Sequence, residues 1–84
     1  MATEYEYIYC TQASGSATFS SECYYVEVYH QSGSPIYINI DAAATTSQFP
    51  IYQGETLKLY ANISSVNGIC DTGFTGSLQI LGTR

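Results

Sequence analysis

The chain is predicted to be all-β: a small antiparallel β-sandwich, or partly open barrel, of about six to seven short strands with no substantial helix. Three observations lead there. Apolar and aromatic residues alternate with a period of two in several short runs, and Gly, Asn, Ser and Pro collect between those runs. No stretch keeps an apolar face at helical spacing for more than about two turns, the Ala42-Ala43-Ala44 run included.

The first run, Glu4 to Cys10, sets Tyr5, Tyr7 and Tyr9 on one face and Glu4, Glu6, Ile8 and Cys10 on the other. Residues 1–12 are therefore expected to form an edge strand, or an arm that contacts a neighbouring subunit. The Gly/Ser-rich ASGSATFSS that follows reads as a turn or loop. From Cys23 to His30, Tyr24, Val26, Val28 and His30 share one strand face, opposite Tyr25, Glu27 and Tyr29. The HQSGSP segment then supplies a hairpin connection, with Gly33 free to take positive φ and Pro35 suited to a strand start.

Ile36, Ile38 and Ile40 alternate with Tyr37, Asn39 and Asp41, the cleanest half-buried strand in the chain. A tract of small and hydroxyl residues, Ala42 to Gln48, reads as a connection between strands. Phe49 and Ile51 are expected to resume the inward alternation, Phe49 as a plug, with Pro50 marking an edge. Gln53-Gly54 makes a turn into a strand defined by Leu57 and Leu59. Ile63, Val66 and Ile69, spaced by three, suggest one irregular or helical turn, and Leu78, Ile80 and Leu81 mark a closing strand.

With 84 residues, the chain is expected to form a single domain, 1–84, around one hydrophobic core. Charged residues make up only 11% of it, against roughly 25% in an ordinary soluble domain. Its surface must then be built from Ser, Thr, Asn, Gln and Tyr, which lose water cheaply and suit packing against other subunits. A net charge of −5, with Lys58 and Arg84 the only Lys and Arg, argues against nucleic acid and against an anionic membrane. No apolar run approaches the roughly 20 residues that span a bilayer. The segment MATEYEYIY has acids where a secretory leader has bases, so synthesis in a cytoplasm is expected. Cys10, Cys23 and Cys70 lack both zinc-site spacing and an even count. Buried free thiols are the expectation, and a Cys10–Cys23 bridge is the alternative.

Chemistry is sparse. His30 is the lone histidine and brings no second metal ligand, so a structural role is expected. By strand parity it faces away from Cys23, and no serine stands in a GxSxG elbow. Asp41 and Glu55 flank the central tract and would have to meet in space to act as a carboxylate pair, while strand-end carboxylates of this kind usually serve solubility. No phosphate loop is present, and Asn62-Ile63-Ser64 fits the glycosylation sequon, a triplet that arises often by chance. The reading is a protein without catalytic residues, metal or cofactor. The nine tyrosines suggest contact instead, because the ring packs while the hydroxyl finds a polar partner. Tyr5, Tyr7 and Tyr9, with Tyr25 and Tyr29 on an outward strand face, are the candidate protein-interface residues.

A further pattern runs through the C-terminal half. A strand ending in Asp (Ile36 to Asp41) leads to a small-residue and Thr-Thr-Ser stretch (Ala42 to Ser47), then Phe49-Pro50-Ile51. Gly54-Glu55 opens a strand with Leu57 and Leu59, followed by Ile63 to Val66, Ile69-Cys70 and Gly73. This series resembles small all-β virion proteins of tailed phages that decorate or cement a capsid. The resemblance implies a structural protein bound to the capsid exterior at junctions between copies of the major capsid protein, as a homo-oligomer with a trimer favoured. It equally fits a tail or fibre module that binds a host-surface glycan, for which Tyr37 and Tyr52 are the exposed candidates.

Overall fold

The computed structural model describes residues 2–84, so Met1, part of the expected N-terminal strand, lies outside the described residues. Eight strands, rather than six or seven, form two four-stranded antiparallel sheets packed as a sandwich. They are β1 (Thr3–Cys10), β2 (Gly15–Cys23), β3 (Tyr25–Gly33), β4 (Ile36–Ile40), β5 (Pro50–Ile51), β6 (Thr56–Leu59), β7 (Ile63–Ile69) and β8 (Gly76–Thr83). One sheet has the order β1-β8-β3-β6 and the other β2-β7-β4-β5. The described residues contain no helix.

Alternation sets the core. Ile8, Val26, Val28, Leu78 and Ile80 from the first sheet meet Ala17, Phe19, Ile36, Ile38 and Val66 from the second, all buried. Leu78 lies at the centre, on a strand flanked on both sides, opposite Ile8 of β1 and His30 of β3. Close approach of the sheets requires small residues there. A Cβ added to Gly82 would lie 2.7 Å from both Cys23 Sγ and Phe19 Cε1.

Several expectations need correction. The Gly/Ser-rich segment is a strand: Ala17 and Phe19 face inward while Ser16, Thr18 and Ser20 face water, an alternation that small polar residues conceal. Its register with β7 slips between Thr18 and Cys23; Cys23, which shares parity with Ala17 and Phe19, also faces the core, and the chain bends at Tyr24 before β3 begins. Cys23 and His30 are consequently both buried, on different strands, rather than on opposite faces of one. Ile63, Val66 and Ile69 belong to β7, an interior strand of the second sheet; the slip lets Ile63 and Val66 both face the core, while Ile69 lies on the outward face beside Tyr37, so their spacing by three is no helical turn.

The HQSGSP segment is not a hairpin, because β3 and β4 lie in different sheets. The chain crosses between them at Gly33, which has φ of 101° and leaves no space for a Cβ, since one would collide with the Thr75 carbonyl oxygen. The tract from 42 to 48 joins β4 to its neighbour β5 within one sheet, held in part by the Ala44 N–H donating to Ser14 Oγ at 2.9 Å. Pro50 does lie on an edge strand, as expected. Phe49, however, is no plug, being 92% exposed.

The two ends of the described chain meet. Ala2 and Arg84 exchange both backbone hydrogen bonds, at 2.7 and 2.9 Å. Arg84 also pairs with the Glu4 carboxylate, which accepts from Ser20 N–H and Oγ–H as well. Those hydrogen bonds, Ser20 first and then Arg84, hold the Glu4 carboxyl below the usual carboxylate range.

Candidate protein-binding face

The five tyrosines singled out from sequence come together on the outer face of the first sheet. Register places Tyr5 beside Leu81 and Leu81 beside Glu27, while Tyr7, Gln79 and Tyr29 form the next row. Tyr9 lies beside Ser77, and Tyr25 beside Thr83. Tyr60, which the sequence reading passed over, joins them just after β6, its ring centroid 4.8 Å from that of Tyr25. Its place was legible, since it shares parity with Lys58 and opposes Leu57 and Leu59.

Exposure decides whether this face is large enough to matter. Tyr5, Tyr7, Tyr9, Tyr29 and Tyr60 are 76%, 58%, 59%, 40% and 79% exposed. At about 200 Å² for a whole ring, they present roughly 600 Å², most of the ~800 Å² that each partner contributes to a standard interface. That matches the largest apolar patch a typical monomer exposes, which is often functional. Between the tyrosine rows a groove of about 490 Å³ runs over β8, lined by Tyr5, Tyr7, Glu27, Gln79 and Leu81. Burial first, and then the Glu27 carboxylate, pushes the Tyr25 hydroxyl up to about 12, so it stays a neutral donor at any ordinary pH.

The opposite face of the sandwich has another character. On the second sheet Ser16, Asn67 and Asn39 align across three strands, and Thr18 stands beside Ser65. Asn67 Nδ2 donates to Ser65 Oγ at 3.3 Å and to Asn39 O at 3.5 Å. Its one large ring in a strand, Tyr37, donates to Asp71 Oδ2 at 3.3 Å. Hydroxyls and amides satisfy one another on this side, whereas on the other Tyr5, Tyr7 and Tyr9 present exposed rings.

The edge beside the tyrosines is open. Ala2 and Arg84 form a hydrogen-bonded pair, so even-numbered residues of β1 bond to β8, and Thr3, Tyr5, Tyr7 and Tyr9 turn their N–H and C=O groups to the free edge. Glu4 and Glu6, on the inward side of this edge, oppose uncontrolled strand addition.

The residues considered for chemistry hold structure. Asp41, at φ of 58°, ends β4 and accepts Ser64 N–H and Ser65 N–H at 2.8 and 2.7 Å. Glu55 Oε1 accepts Tyr52 N–H at 2.7 Å across the β5–β6 turn. His30 is fully buried, with Nε2 2.6 Å from the Ser34 carbonyl. A carbonyl can only accept, so Nε2 carries the proton and Nδ1 is left without a partner. Among the described residues no group of three or more His, Cys, Asp or Glu side chains could hold a metal ion, and no helix is long and apolar enough to cross a membrane.

All three cysteines are free and buried. Cys10 sits opposite Gly76 and Cys23 packs against Gly82 of the same strand, about 20 Å away at a strand rise of ~3.4 Å, so no Cys10–Cys23 bridge forms. Burial, and next the neighbouring Cys70, pushes the Cys10 thiol up to about 12. The native chain should therefore resist maleimide labelling at pH 8, and the three thiols should label together once denaturant is added. The unfolded chain loses the Cys10 proton near the ordinary thiol value of about 8.5, while the folded chain keeps it. This contribution to stability is present below that pH and is lost as the pH rises towards 12, which urea titrations at pH 7 and pH 10 measure.

Comparison with protein-family models, with curated proteins and with solved structures finds no match to this chain. The resemblance to phage virion proteins rests on the sequence pattern alone.

Proposed function

We propose that this chain is a structural virion protein of a tailed bacteriophage that decorates the capsid exterior and strengthens contacts between capsomers. The observation that carries the proposal is the division of the sandwich into a tyrosine face, on β1, β8 and β3, and a self-satisfied polar face on the second sheet. The tyrosine face seats on the major capsid protein. The polar face remains in water.

Mechanically, a protein that binds only the assembled junction stabilises it by RT ln(1 + [L]/Kd), or about 2.7 kcal/mol at a hundredfold excess over Kd. Capsomers pressed apart by packaged DNA would then separate less readily. The face carries few charges, Glu27 and Lys58 among them in register, so attachment should persist at high salt, unlike an ion-paired contact.

A second reading draws on the groove over β8. It combines stacking rings, Tyr5 and Tyr7, with a carboxylate and an amide, Glu27 and Gln79, which are the parts of a saccharide site. That reading places the protein on a tail or fibre, engaging a host-surface glycan. Tyr37 is less suited to this role, its hydroxyl being engaged with Asp71.

Counting copies in purified particles separates the readings. Hundreds per particle, retained in high salt, support decoration. A few per particle, together with glycan binding that Tyr5→Ala abolishes, support the tail reading. Absence from purified particles would overturn both.

A further inference from the structure

The sandwich is closed unevenly. On the side where β5 and β6 are the edges, β5 has only two residues and pairs with Ile36 and Tyr37 alone. Beyond that point the pairing ends with the Phe49 carbonyl accepting the Ile38 N–H at 3.4 Å. Burial falls off along its inward residues: Ile36 is fully buried, Ile38 is 9% exposed and Ile40 is only half-buried. Across the gap Leu57 faces inward, opposite Val28 of β3, yet it is 37% exposed. Between them lies a cleft of about 580 Å³ whose apolar wall includes Ile38, Ile40, Ile51, Leu57 and Phe49 itself, the rest of the lining being mostly polar. Glu55 is the only charged residue in the lining, and its carboxylate is engaged by the Tyr52 N–H.

Phe49 contributes to the wall of this cleft, yet its ring is 92% exposed and does not fill the apolar part formed by Ile38, Ile40, Ile51 and Leu57. A knob and a hole on one patch are self-complementary, the requirement for an isologous contact about a two-fold axis. A small apolar ligand in the cleft would still leave the ring in water, whereas a second copy covers both at once. We propose that two copies of this chain associate by reciprocal exchange, the Phe49 ring of each seating in the β4–β6 cleft of the other.

The expected strength follows from area. Each ring buries about 150–250 Å² and covers a similar area of cleft wall, so the pair of contacts removes roughly 800 Å² from water. That is below the 1,200–2,000 Å² of stable complexes, so the dimer is a reversible one. It uses the opposite side of the sandwich from β1 and stands whether or not the tyrosine face binds a particle.

Sedimentation equilibrium on the intact chain, from about 5 to 500 µM, tests this in the range where a reversible dimer dissociates. The wild type should shift from monomer to dimer across the range. Phe49→Ser should weaken association at least tenfold while leaving thermal unfolding unchanged, because the ring is exposed in the monomer. Leu57→Trp, which fills the hole and keeps the knob, should do the same. A mixture of the two variants should associate more than either variant alone and less than the wild type, with one ring in one intact cleft. A wild type that stays monomeric throughout, as it would if Phe49 folded into its own cleft, overturns the proposal. So does a Phe49→Ser variant that associates as the wild type does.

Discussion

Leu78→Ala is expected to lower the thermal midpoint by about 15–25 °C. Leu78 is fully buried in the central strand of the first sheet, between Ile8 and His30, and its side chain fills the space above Gly68. Truncating such a residue costs about 3–4 kcal/mol, from lost transfer energy and from the cavity that remains. A domain of this length has roughly 4–12 kcal/mol in total, and each kcal/mol moves the midpoint by about 4–8 °C. The substitution therefore removes a large share of the margin. Differential scanning calorimetry measures it, and a change of under about 5 °C would mean that the sandwich core is not packed around Leu78.

Gly82→Val should also be strongly destabilising, for the opposite reason. The side chain it adds has no space, since its Cβ alone would stand 2.7 Å from both Cys23 Sγ and Phe19 Cε1. Relief requires the buried Cys23 and Phe19 side chains to shift or β8 to move away from the second sheet, and β8 is bonded to β1 on one side and β3 on the other. Overpacking of this kind costs about 1–3 kcal/mol and rises when the backbone cannot yield. Chemical denaturation should show a lowered midpoint and a shortened folded baseline. Adding Cys23→Ala to Gly82→Val should restore part of the stability, because the two sites share one contact and their effects are not additive. No recovery would place the strain elsewhere.

These two residues also show which parts of the fold the sequence disclosed. Leu78 and Ile80 stand out by alternation, as do Ile36, Ile38 and Ile40, because large apolar side chains at period two have few other uses. Gly82 carries no such signal, since its role depends on Phe19 and Cys23 arriving from a strand 60 residues away. The same limit hid β2, whose inward residues Ala17 and Phe19 sit among serines, and it made the register slip opposite Ile63 look like a helical turn.

The candidate face was half legible. Parity alone put Tyr5, Tyr7 and Tyr9 together, and separately Tyr25 and Tyr29. That β8 lies between the two groups, with Gln79 and Leu81 forming the groove, depends on non-local pairing that alternation does not encode. The exposure of Phe49 ran against expectation because parity with Ile51 holds only while a strand continues, and β5 begins at Pro50.

The central claim is that the tyrosine face, rather than the polar face, attaches this protein to its partner. Its most direct test compares two variants in binding to particles stripped of the protein. One carries Tyr5→Ser, Tyr7→Ser and Tyr29→Ser, and the other carries Ser16→Ala and Thr18→Ala on the second sheet. All five side chains are exposed, so both variants should fold. Central aromatic residues of an interface contribute about 2 kcal/mol or more each, so the tyrosine variant should bind at least about a hundredfold more weakly and the polar-face variant as the wild type does. Equal binding by the tyrosine variant, or loss in the polar-face variant alone, would contradict the claim.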